Sequence, residues 1–170
     1  DLEDWSPERM MQRVIRFDQL RWSGQALLDS VLPGHGAQMA PVIGLGMDQG
    51  RAVIPPVSNA HGMSIEWLRI PVGGQVGMHR IANKQALVIK KGRLRLDIQA
   101  DDGLFSQELQ GAAKAWDSFA LPGGHWRSLH NVGSEEVLML LLSSGDEKKI
   151  IEWSPDIIAQ ADRKSTRLNS

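Results

Sequence analysis

Cysteine is absent from the 170 residues. That excludes a disulfide framework, a thiolate metal site and a cysteine nucleophile. A surplus of one charge is missing too: 19 Lys and Arg stand against 20 Asp and Glu. Such a balanced chain is not built mainly to hold nucleic acid. No apolar run approaches the ~20 residues of a membrane-spanning helix. No signal-peptide pattern opens the chain, but it starts on Asp1, so that absence carries no weight. The redox compartment stays open, and the cytoplasm is the default expectation. There is also no Gly-rich phosphate loop leading into a helix, which argues against a nucleotide fold.

What is present is a sequence of short strands. The length suits one domain with extra residues at its ends, and 42% apolar residues are enough to fill a core. VIRF (14–17) reads as a short strand. Residues 24–60 are rich in Gly, Pro and Ala and read as an irregular lead-in. MSIEWLRI (63–70) alternates as a strand and ends in a PVGG turn. ALVIK (86–90) reads as a strand that stops at Lys91-Gly92. RLRLDI (93–98) alternates at period two, and ADDG (100–103) turns it back. LFSQEL, SFALP and VLMLLL follow in the same style. Strands with turns every 8–12 residues argue for a sandwich or barrel.

The two ends carry separate signals. DWSPERMMQ (4–12) matches EWSPDIIAQ (152–160) at Trp, Ser, Pro and the final Gln, with acids at corresponding places. Both read as helix starts, with Ser6 or Ser154 as N-cap and Pro7 or Pro155 at the first helical position. A fixed self-similarity of this kind points to a repeat. Residues 1–12 are therefore read as the tail of a preceding copy and 13–161 as the complete domain, its helix spanning 155–161. Residues 162–170, DRKSTRLNS, read as the in-frame translation of a sequencing-library adapter and are expected to be a disordered tail.

Two segments then carry a family resemblance. Residues 73–92, GGQVGMHRIANKQALVIKKG, are similar to the first cupin motif, G-x5-H-x-H-x(3–4)-E-x6-G, with Gly73, His79 and Gly92 in register. Residues 122–131, PGGHWRSLHN, are similar to the second motif through Pro122, Gly124 and Asn131; its opening Gly falls on Trp116, followed by Asp117. The resemblance covers roughly residues 60–145. It implies an all-β fold, the cupin double-stranded β-helix or jelly-roll barrel, with a short C-terminal helix. With the terminal repeat, it implies a two-barrel parent, a bicupin, seen here as its C-terminal copy.

In cupins, two His and an acid from the first motif and a His from the second meet around a divalent metal. Carried over residue by residue, these positions are His79, Ile81, Gln85 and Arg127. Ile has no lone pair, Gln is a weaker donor than a carboxylate, and Arg is a fixed cation that cannot ligate. The expectation is a degenerate metal site and no cofactor. His79, Gln85 and Arg127 would instead form a pocket for a small carboxylate, with Ile81 as an apolar wall. His125 sits on the loop near the barrel mouth and is a further substrate-binding candidate. His79, titrating near neutrality, would be the catalytic candidate.

Alternatives stand beside this reading. The copy is structural, with Arg127 neutralised by Glu66 or another acid. Or it is a metal enzyme, dioxygenase-like, holding Fe, Mn or Zn through His79 with a non-standard ligand set that includes His125. Or it is a metal-free isomerase or lyase acting on a small carboxylate. If Arg127 points inward, as the resemblance implies, strand alternation turns Leu129 inward with it and His130 outward. Trp67, Trp116 and Trp126 read as core or barrel-mouth packing, and Lys148-Lys149 as solvated charge. The family also suggests a homodimer, with no nucleic-acid or membrane partner.

Overall fold

A computed structural model describes residues 5–50, 53–58 and 61–168. Positions 1–4 of the amino-terminal repeat, 51, 52, 59 and 60 of the lead-in, and 169 and 170 of the tail lie outside the described residues. Strands occur at β1 Gln38–Ile43, β2 Met63–Ile70, β3 Gln75–Arg80, β4 Gln85–Ala100, β5 Gly103–Ala112, β6 Ala115–Trp116, β7 Ser118–Leu121, β8 Arg127–Asn131, β9 Val137–Ser144 and β10 Glu152–Trp153. Helix α1 spans Pro7–Met11 and α2 spans Pro155–Leu168. All strand pairings are antiparallel. The fold is an all-β jelly-roll barrel with a C-terminal helix.

Strand β4 joins the two halves of the barrel. Its first half pairs with β9 and β7, and its second half with β8 and β5. One sheet therefore runs β1-β2-β9-β4-β7, the other β10-β3-β8-β4-β5-β6. Between them the register against β9 shifts at Ile89/Lys91. One extra residue reverses the alternation: Gln85, Leu87 and Ile89 are buried before the shift, Leu94, Leu96 and Ile98 after it. The sequence reads this stretch as two strands divided at Lys91-Gly92; it is one strand with a bulge. Gly92 has φ 87°, and a Cβ there would lie 2.8 Å from the Glu136 carbonyl oxygen, so the bend needs glycine.

The second motif builds the return into β9. Asn131 donates from Nδ2 to the Ile70 and Glu135 carbonyls and accepts from the Gly133 amide at Oδ1. One buried amide thus ties β8 to the end of β2 and to the turn before β9. Gly124 takes φ 81° in the turn before β8, and its amide donates to the Ile81 carbonyl.

Three boundaries differ from the sequence reading. VIRF is no strand: it is extended chain leading into a 3-10 turn over Phe17–Gln19. Phe17 instead packs edge-on against Trp67 and Trp22. The irregular lead-in contains β1, which tolerates Pro41 because it is an edge strand and its register shifts there. The C-terminal helix does not stop at Ala161 but continues to Leu168, so 162–168 is helical rather than a disordered tail. The segment holds no Gly or Pro to break it, and Lys164 donates to the Val31 carbonyl.

Candidate functional site

The inner faces of the two sheets converge on one enclosed cavity. His79 near the end of β3 and Arg127 at the start of β8 are register partners. Gln85, first residue of β4, belongs to the other sheet. All three line the cavity, together with Met47 and an apolar wall that includes Leu68, Leu87, Leu129 and Leu141. The space enclosed is about 10 Å³, the size that holds about one water. Ile81 is buried but is not part of this lining, and neither is His125, whose Nδ1 lies 3.2 Å from the Gly123 carbonyl.

Arg127 dominates the electrostatics. Its side chain is completely buried. Nη2 donates to the Pro122 carbonyl at 3.3 Å, while Nε and Nη1 are buried with no protein acceptor. Burial lowers its pKa to about 10, which still leaves it a cation at neutral pH. Among the described residues no carboxylate pairs with it. The suggested partner, Glu66, is engaged elsewhere: its Oε1 accepts from the Met47 amide at 2.6 Å. Burial of Glu66 raises its pKa to about 7, so at neutral pH it is only about half ionised.

His79 is uncharged. Burial lowers its pKa to about 4, and the Arg127 cation contributes to the fall. Nδ1 lies 2.8 Å from the Gly77 carbonyl. A carbonyl can only accept, so Nδ1 carries the proton and Nε2 the lone pair. The near-neutral titration expected from sequence is corrected: this imidazole is a poor proton carrier at pH 7. Gln85 donates from Nε2 to Ser143 Oγ at 3.0 Å and to Met47 Sδ at 3.3 Å.

The four positions that the motif resemblance set against metal ligands present one imidazole, an alkyl chain outside the cavity, an amide and a buried cation. This donor set does not fit a divalent ion. His125, the suggested auxiliary ligand, is not brought to the cavity. Among the described residues no group of three or more His, Asp or Glu could hold a metal ion.

Other sequence expectations divide. Leu129 faces the cavity, and His130 turns outward to Ser128 Oγ and Asp97. Trp116 is 53% exposed under Lys90, and half-buried Trp126 lies under Arg80, so neither is a core residue. Lys149 is not solvated: it is buried, and Nζ donates to the Gly145 and Glu147 carbonyls. The sequence reading missed Met47. Its only signal was a Met inside a Gly-rich loop, which says nothing of where the loop packs.

No protein-family model matches the chain, and no curated protein matches it. Solved structures do. An oxalate oxidase superposes with TM-score 0.57 at 19% identity over 74% of this chain and 58% of its own. A variant of Bacillus subtilis oxalate decarboxylase gives 0.62 at 14% identity over 91% of this chain and 36% of its own. The Lactobacillus farciminis oxalate decarboxylase formate complex gives 0.56 at 12% identity over 78% and 33%. The chain thus spans a little over half the length of the oxidase and about a third of the decarboxylases. At such identities the likeness speaks for architecture. The bent β4, the two motif turns and these superpositions together identify the chain as a cupin fold.

Proposed function

We propose that this barrel is a metal-free binding site for a small carboxylate, held by Arg127 and Gln85 beside a neutral His79. The observation that carries the reading is the buried guanidinium with two N–H groups lacking acceptors. An uncompensated buried cation is costly, and a planar carboxylate matches its fork. The oxalate-named neighbours of the same fold support a ligand of that class. With His79 near pKa 4, binding is favoured over proton-transfer chemistry. A structural role for this copy is the second reading, supported by the near-filled cavity.

The terminal repeat extends the proposal to a two-barrel parent protein. Both Ser-Pro segments start helices, and each Ser hydroxyl faces the amide three residues on, Arg9 in one and Ile157 in the other. Recovery of the upstream coding sequence, with a second cupin motif pair, is the test of that extension.

The binding test uses chelator-treated protein in chloride-free buffer, titrated with formate by calorimetry. Formate should bind, and Arg127→Met should weaken it by about tenfold or more, the loss of one charge-assisted hydrogen bond. Equal binding by both proteins, or none by either, would refute the carboxylate site. Binding that needs added Fe(II), Mn(II) or Zn(II) would replace it with a metal enzyme.

A further inference from the structure

One side chain in the cavity lining comes from a Gly-rich loop and also bonds a polar residue of the site. Met47 is nearly fully buried, 3% exposed, and stands in the lining beside His79, Gln85 and Arg127. It comes from no strand. It belongs to the Gly-rich loop after β1, which reaches across the barrel end and is fixed at several points. The Met47 amide donates to Glu66 Oε1, the Leu45 amide to the Asp146 carbonyl, and the Lys149 amide to the Gly46 carbonyl. Gly46 lets the loop pass this close: a Cβ there would lie 2.2 Å from Glu66 Oε1. The loop carries two buried side chains, Met47 and Asp48, and Met47 is the one that lines the cavity.

We propose that Met47 is the size-determining residue of this site, a plug that must shift for any carboxylate, least for formate and further for larger acids. The inference rests on the carboxylate reading of the Arg127 pocket and deepens it. Three features carry it. The Met47 side chain shares the lining with Arg127, whose Nε and Nη1 lack acceptors. Its sulfur uses one N–H of Gln85, which a carboxylate oxygen would accept more strongly. And Met is unbranched and flexible, so it can fill the space in the absence of ligand without fixing its shape.

Chemistry sets the expected class. Truncation to Ala removes Cγ, Sδ and Cε, three heavy atoms, and adds their space to room for about one water. That suits acetate or glycolate, while formate needs least displacement. The Gln85 N–H released by the sulfur becomes a further donor to the bound carboxylate.

The experiment is a ligand-size series, formate, acetate, glycolate and oxalate, titrated calorimetrically into chelator-treated wild type, Met47→Ala, Met47→Val and Met47→Ala with Arg127→Met. Circular dichroism confirms folding, and Met47→Val, a milder truncation, serves if the Ala variant does not fold. Met47→Ala should bind acetate or glycolate about tenfold tighter than wild type, one extra hydrogen bond and no plug to displace. Met47→Val should fall between, and Arg127→Met should abolish the gain. Wild type binding the larger acids as tightly as the truncated variants would overturn the plug while leaving the Arg127 site standing. Formate binding that no truncation extends to larger acids would do the same. No Arg127-dependent binding in any protein would overturn both.

Discussion

His79 and Glu66 are buried titratable groups shifted in opposite directions. Burial lowers His79 to about 4, with the Arg127 cation adding to the fall; burial raises Glu66 to about 7, with Asp48 adding to the rise and Lys149 opposing it. For His79 the folded pKa lies below the ordinary value, so its stabilising contribution is present above pH 6.5 and lost as pH falls through 4. For Glu66 the folded pKa lies above the ordinary one, so its contribution is present below pH 4.5 and lost as pH rises through 7. Each shift corresponds to roughly 3 kcal/mol, and between pH 4.5 and 6.5 the two slopes oppose. His130, also lowered by burial, adds to the His79 side. Urea unfolding across that window should therefore show a shallow profile for wild type. Glu66→Gln should unmask a stability that climbs with pH. An unchanged profile in the variant would mean Glu66 is ionised in the fold. In the same buffers, free of small anions, Arg127→Met should be more stable than wild type by about 1–4 kcal/mol, because an unpaired buried charge is replaced by an alkyl chain.

At the scale of elements, β4 gives both sheets one shared core. Its bulge brings Leu94 and Leu96 to the same interior as Leu87 and Ile89. Gly92→Ala forces a side chain into a left-handed conformation against the Glu136 carbonyl. The cost should be about 1–3 kcal/mol, read as a lower midpoint in denaturant with the slope preserved. Gly92 at the bend and the Pro-Gly-Gly turn before β8 were legible as breaks because turn chemistry is local, although the break at Gly92 is a bulge within one strand and not a strand end. VIRF was misread for the complementary reason. Four strand-forming residues make no strand without an edge to pair with, and here Phe17 finds Trp67 instead.

At the scale of the molecule, β9 is apolar on both faces. Val137, Met139 and Leu141 point into the core, while Leu138, Leu140 and Leu142 lie half-buried on the outer face beside Trp67 and Val88. Strands that are apolar on both sides are covered on both sides in most folds. A second copy of this chain packed on that face is the prediction, in line with the homodimer that the motif resemblance implied. Leu140→Lys should leave the far-ultraviolet spectrum unchanged and reduce the mass by light scattering from two chains to one. A wild type that is monomeric at high concentration would refute the dimer.

The sequence by itself determined an all-β sandwich or barrel, because alternation and turn residues are properties of short stretches and need no partner to be read; the two motif resemblances narrowed that to the jelly roll. The inward placement of Arg127 and His79 was what the motif resemblance implied; strand geometry added only that Leu129 shares the face of Arg127 and His130 does not. Only the tertiary structure decided what Arg127 and His79 meet there. Glu66 was a reasonable counter-ion from its inward position on β2, yet the Met47 amide, 19 residues upstream in the chain, takes its carboxyl oxygen. Lys149 looked solvated and is buried by two carbonyls of its own turn. Such long-range capture depends on where a loop lies after the sheets have closed. No local pattern encodes it, so the unpaired guanidinium at the centre of the barrel emerges only from the folded chain.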